Sequence, residues 1–138
     1  MDYDQAFLKS FKRVTTLDPE GTLFFKRFYE RFSESAEIRE KMAGVDLKRQ
    51  YGALRRSLLL MLEFFVNKRA GEQLRQIAFR HNHKGLDIRP HMYDLWLVAL
   101  IDTVKKMDPQ QDRDVLLAWK LVLSVGITFL KDAYDRCE

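Results

Sequence analysis

Cysteine occurs once in the 138 residues, at Cys137. That excludes an internal disulfide framework and any cysteine-rich zinc site, and a reducing, cytoplasmic setting is the default expectation. Long apolar runs are missing as well. The longest uncharged apolar stretch, Ser57 to Leu62, is far short of the roughly 20 residues that a bilayer-spanning helix needs. No basic N-terminal segment leads into an apolar core of the kind that signal sequences carry. A soluble protein with no membrane partner is expected. With only three prolines and six glycines, and with no repeats, low-complexity tracts or Gly/Ser linkers, nothing marks a second domain, so residues 1–138 are expected to form one. Paired Glu/His metal spacing, a serine nucleophile motif and a Gly-rich phosphate loop after a strand are also lacking, which disfavours hydrolase, metalloenzyme and nicotinamide chemistry. Nor does one sign of charge dominate. The net charge is +4, but 20 acidic residues are interspersed among 24 basic ones, which reads as a solvated mixed surface and not a nucleic-acid site. Local basic pairs such as Lys48-Arg49, Arg55-Arg56 and Lys68-Arg69 remain free to face ligand carboxylates or an acidic partner.

What is present is apolar spacing at helical periods. No segment sustains two-residue alternation, so an all-α domain is expected, large enough to bury roughly two thirds of its unfolded surface. A first helix carries Tyr3, Phe7, Phe11 and Val14 on one face. Asp18-Pro19-Glu20 offers an N-cap, a proline at the first helical position and an acid in the first turn, predicting a second helix from there. That helix bears a dense aromatic face of Phe24, Phe25, Phe28, Tyr29 and Phe32. After an irregular passage around Met42-Ala-Gly44, a third long helix repeats Leu47, Tyr51, Leu54, Leu58, Met61 and Phe65 at steps of three and four. The stretch Lys68 to Gly71 reads as a turn. A shorter helix then runs to about Gly85, Arg89-Pro90 opens another on Tyr93, Trp96, Leu97, Leu100, Ile101 and Val104, and Asp108-Pro109 ends it. The acids Asp112 and Asp114 precede a last helix on Leu116, Trp119, Leu123, Ile127 and Leu130. Six main helices are predicted.

Within the shorter helix, Leu74, Ile77, Ala78 and His81 share one face, and His83 lies about 200° around from His81. A neutral imidazole on a buried helix face beside a helix break suits axial ligation of a haem iron. By itself it equally describes a core histidine satisfied by a backbone carbonyl.

Four segments in order, Phe28-Tyr29, Gln50 with Leu54, Ile77-Ala78-Phe-Arg-His81, and Pro90-His-Met-Tyr93 followed by Ala118-Trp119, resemble the globin family, specifically bacterial single-domain haemoglobins. The resemblance covers nearly the whole chain and implies a globin-like fold around a pocket for haem b. By resemblance, His81 matches the proximal iron ligand, with its second ring nitrogen donating to a carbonyl or side chain. Tyr29 matches a distal tyrosine whose hydroxyl donates to bound oxygen; on its residues alone it could simply continue the aromatic core stripe. Gln50 matches the distal polar position, or else is a solvated glutamine near a helix start. Leu54, Leu58 and Leu97 would be apolar cavity walls, a role that sequence cannot tell from ordinary packing. Tyr93 matches a tyrosine that, in flavohaemoglobin-like proteins, forms a proximal triad with a glutamate of the last helix. Here Tyr134 stands where that glutamate would be, with Asp132 nearby, so the triad is incomplete. Met42 takes the place of a phenylalanine that globins pack on the haem; its thioether can fill the same space. His83 is expected off the ligand face, though another register would make it the ligand, and His91 is expected to face solvent.

The function implied is reversible binding of a diatomic gas, most simply oxygen, with nitric oxide or carbon monoxide as further ligands. Two alternatives stand beside it: nitric oxide dioxygenation, which would draw electrons from a separate reductase because the chain carries no flavin or nicotinamide domain, and a haem-sensing regulatory module acting through helix-mediated dimerisation. A monomer or homodimer without nucleic acid fits any of the three.

Overall fold

The computed structural model describes residues 2–136, so Cys137 lies outside the described residues. Seven helices and no strands make up this part: α1 (Tyr3–Val14), α2 (Leu23–Phe32), α3 (Ala36–Met42), α4 (Leu47–Asn67), α5 (Glu72–His81), α6 (Pro90–Met107) and α7 (Arg113–Ala133). The all-α expectation holds. The count is one higher than predicted because the passage before Met42 closes into the short helix α3. Its single fully buried residue, Ile38, gives too weak a periodicity to see in sequence.

Two boundaries differ from the sequence reading. The second helix starts at Leu23, not at Pro19. Asp18 still caps it, but from five residues back, its carboxylate accepting from the Thr22 and Leu23 amides at 3.2 Å each. Helix α5 stops at His81 instead of continuing to Gly85. The chain folds back there, with the Leu86 amide donating to the Arg80 carbonyl at 2.8 Å and Ile88 to His81 at 3.0 Å. Gly85 is required by that turn, because a Cβ on it would lie 2.3 Å from the Arg80 carbonyl oxygen.

Elsewhere the caps act as the residue types suggest. Asp46 accepts from the Lys48 and Arg49 amides at the start of α4, Asp112 accepts from the Val115 amide at the start of α7, and Pro90 opens α6. Helix α7 is the central element, packing against α1, α4, α5 and α6, while α2 packs on α6. Its buried face carries Trp119, Val122, Leu123 and Ile127. At Gly126 the α4–α7 crossing is so close that a Cβ would meet Met61 Cγ at 2.6 Å. The end of the core near Trp119 is aromatic: its ring sits 4.6 Å from Phe7 and 6.0 Å from Phe24, centroid to centroid. Among the described residues no helix is long and apolar enough to cross a membrane.

Beside this core lies a closed polar network. Trp119 Nε1 donates to Ser10 Oγ at 2.9 Å, Ser10 Oγ donates to Asp108 Oδ2 at 2.6 Å, and Arg13 grips both Asp108 oxygens at 2.8 Å. The Gln110 amide completes the set at 2.9 Å. These bonds tie α1, the end of α6 and α7 together at their crossing.

Candidate functional site

At the other end of the molecule the packing opens into a cavity of about 410 Å³ between α2, α3, α4, α5 and α6. That is within the range of cofactor-sized pockets. Its walls are mostly apolar: Phe32, Ile38, Met42, Leu54, Leu74 and Ile77, with others of the same kind. Of the residues singled out from sequence, Tyr29, Met42, Gln50, Leu54, His81 and Tyr93 all line it, and so does Met92. Leu97 and Leu58 do not: Leu97 packs half-buried on the core, and Leu58 is fully buried within it.

His81 is positioned by the last turn of α5. Its Nδ1 sits 2.7 Å from the Ile77 carbonyl four residues earlier, so Nδ1 carries the proton and donates it. Nε2 then presents a lone pair and has no hydrogen-bond partner among the described residues. Burial pushes the imidazole pKa down, against the Ile77 bond, which raises it, and with a small push from Arg80. A neutral ring of fixed tautomer is what a metal ligand requires.

Tyr29 comes from the buried face of α2. Burial drives its phenol pKa upward, so it stays protonated and serves as a donor. The acceptor it reaches is the Gln50 carbonyl at 3.5 Å, the weak limit of a hydrogen bond. Tyr93, on α6, is 6% exposed, and its hydroxyl has no partner at all, alone in this among the buried side-chain polar atoms of the described residues. An orphaned buried hydroxyl costs about 1–3 kcal/mol. Tyr134 does not come to it; its hydroxyl donates to Asp87 instead, and Asp132 pairs with Arg136 at 2.8 Å. No carboxylate bonds to His81 among the described residues.

The charge of the lining is one-sided. Lys41, Arg56 and Arg80 border the cavity, and no Asp or Glu does. Lys41 donates to the Leu86 carbonyl at 3.0 Å and lies 4.0 Å from Asp87, whereas Arg56 and Arg80 have no ion-pair partner among the described residues. Of the three, sequence singles out only Arg56, as half of the Arg55-Arg56 pair; Lys41 and Arg80 carry no such mark. The spacing of Gln50, Ala53 and Arg56 along α4 does carry a signal for one of them, since it keeps Arg56 at the edge of the cavity face. Leu86 and Ile88, which close the cavity from the loop after α5, had no such signal, because a non-periodic segment leaves no pattern. His83 is exposed, with Nδ1 2.7 Å from the Tyr134 carbonyl, and His91 is exposed and paired with Glu37.

These residues fit a haem. Among the described residues no group of three or more His, Cys, Asp or Glu side chains could cage a bare metal ion. A single free imidazole nitrogen suits a metal already held in a macrocycle. Apolar walls suit the ring, the unpaired cations at the rim suit its carboxylates, and the orphaned Tyr93 hydroxyl lacks the partner that a bound group would bring.

No family model matches the chain, and no curated protein matches it. A solved structure does. The crystal structure of a protein from Pseudomonas aeruginosa PAO1, described as structurally highly homologous to a human hemoglobin, superposes with a TM-score of 0.89 at 31% sequence identity, covering 98% of this chain and 100% of that one.

Proposed function

The chain belongs to the globin family, and on that premise we propose that it holds a haem b in the cavity and reversibly binds a diatomic gas there, most simply dioxygen. The observation that carries the reading is His81: a half-buried neutral imidazole, its Nδ1–H committed to the Ile77 carbonyl, its Nε2 unpartnered among the described residues at a cavity that Tyr29 and Gln50 also line. A haem bound by Nε2 supplies an iron with a coordination position open to a small gas.

The chain's own residues do the rest. Arg56 and Arg80, with Lys41 beside them, would hold the carboxylates of the cofactor at the rim. The apolar lining excludes water. Met42 fills the space beside the ring with a flexible thioether. Tyr29 keeps its proton and has little to lose by turning its hydroxyl from a 3.5 Å contact to an electron-rich guest, a bond that slows the guest's escape. The Gln50 amide adds a second donor at the same wall. The proximal bond favours reversible binding over oxidative turnover. A carboxylate partner would make His81 strongly electron-donating, and its Nδ1 meets a neutral carbonyl instead. Nitric oxide dioxygenation through a separate reductase and haem-dependent regulation are the readings that this bond does not favour.

The test is an absorption spectrum of the purified protein after haem addition, ferric and then reduced under carbon monoxide, beside His81→Ala. An intense Soret band that shifts with carbon monoxide, and is altered or lost in the variant, is the expected result. Free-haem absorbance in both proteins would overturn the reading.

A further inference from the structure

Tyr29 donates to nothing closer than 3.5 Å, so hydrogen bonding does not hold its ring in place. Aromatic packing does. Phe28 meets it edge-on at 4.9 Å between centroids with planes at 70°. Tyr51, on the first turns of α4, lies nearly parallel to it at 5.9 Å and 29°. Tyr51 is itself backed by Phe25 at 6.3 Å and 24°. The stack Phe25, Tyr51, Tyr29 thus bridges α2 and α4, and only Tyr29 of the three lines the cavity. Stacks of this kind contribute, beyond the area they bury, about as much as one neutral hydrogen bond, so the stack is strong enough to decide where a weakly bonded hydroxyl points.

Resting on the gas-binding reading, we propose that Tyr51 is a positioning residue for it: its ring, stacked on Tyr29, sets the direction in which the Tyr29 hydroxyl meets the gas. Tyr51 touches neither the cofactor space nor the guest, and it acts through a plane, not through its own hydroxyl. Phenylalanine at position 51 therefore preserves the effect. Leucine, which fills the half-buried site without a flat face, removes it.

Two readouts separate this inference from the reading beneath it. In the protein as purified, labelled with ¹³C-tyrosine, the Tyr29 ring resonances are displaced by the Tyr51 ring current; Tyr51→Leu moves them and Tyr51→Phe does not. Unmoved resonances in Tyr51→Leu would overturn the stack whether or not haem binds. In the haem-loaded, oxygenated protein, Tyr29→Phe accelerates oxygen dissociation about tenfold, the loss of one good hydrogen bond. Tyr51→Leu accelerates it at least about threefold, part of that bond, and Tyr51→Phe changes it less than twofold. Tyr51→Leu adds nothing in the Tyr29→Phe background. An unchanged rate in Tyr51→Leu beside an accelerated Tyr29→Phe overturns the positioning role alone. An equal acceleration in both backgrounds also overturns it, since the effect would then be one of access. An unchanged rate in Tyr29→Phe overturns the distal role of Tyr29 and the positioning role together.

Discussion

The two polar regions of this molecule are built to opposite standards. Around Asp108 no buried side-chain donor or acceptor among the described residues lacks a partner: two oxygens receive Arg13, Ser10 and the Gln110 amide, and Ser10 in turn receives Trp119. Around the cavity the polar atoms are held short of satisfaction. His81 Nε2 is unpartnered, Tyr29 reaches a carbonyl only at 3.5 Å, Tyr93 reaches nothing, and Arg56 and Arg80 have no carboxylate. Both regions belong to one helical core and cross α6, so the contrast is not one of buried core against surface. A network that closes on itself has spent its bonding capacity on the fold, whereas one left open keeps that capacity for a ligand.

The largest effect that sharpens this contrast lies at the closed end. Asp108→Ala strips Arg13 and Ser10 of their shared acceptor in a place where the carboxylate is completely buried. Removing one partner of such a pair costs about 3–5 kcal/mol. Urea unfolding of the haem-free protein should show that loss, while haem uptake by the folded fraction is unchanged. A loss within the range of an exposed pair, about 0–1 kcal/mol, would erase the distinction between the two ends.

Acidification should separate the ends by pH. At Asp108 burial raises the carboxyl pKa, but the bonds from Arg13, Ser10 and Gln110 outweigh it and hold the group below the usual carboxylate range. Its contribution to stability is present above the unfolded value, near 3.9, and is lost as pH falls through the lower folded value. His81 has its pKa lowered from 6.5. The folded haem-free protein thus binds fewer protons than the unfolded chain, and stability falls as pH drops below 6.5 toward the lower folded value. Two windows are expected in stability against pH. His81→Leu should flatten the upper one and Asp108→Asn the lower. A single window that survives both substitutions would show that other groups govern the acid response.

The closed end was poorly legible in sequence and the open end well legible, for physical reasons. Helical periodicity marks residues that bury an apolar face, so the long helices and the stripe holding Leu74, Ile77 and His81 could be read directly. Asp108 lies 98 residues from Ser10 and 95 from Arg13 and shares no period with them, and nothing local says that they meet. The start of α2 was misplaced because Asp18-Pro19-Glu20 has the composition of a first helical turn, while the carboxylate in fact reaches forward over a separate turn to cap Leu23. At the cavity, His81, Tyr29, Gln50, Met42 and Tyr93 were picked out by the resemblance of ordered segments, and the structure gathers them around one space. Leu97 was placed on the inner face of α6 correctly as to burial, but that face is wider than the cavity. Of the rim cations only Arg56, in the Arg55-Arg56 pair, could be read as a candidate for ligand carboxylates; Lys41 and Arg80 could not, because a cation beside a pocket and one in solvent look identical until the loop from Leu86 to Ile88 closes over the edge.

The smallest effect tests the open end at its least ambiguous atom. Tyr93→Phe removes one hydroxyl that has no partner among the described residues and keeps the ring that fills the space. The change should relieve a buried unsatisfied group and stabilise the haem-free protein by about 1 kcal/mol. The same substitution in the haem-loaded protein should gain less or lose, because there the hydroxyl has the chance of a partner. The comparison is therefore a difference of two differences, read by urea unfolding with and without haem. Its sign carries the argument. A gain confined to the haem-free state means that the cavity end is left unsatisfied in anticipation of a ligand; an equal gain in both states means that Tyr93 is merely a flaw in the packing.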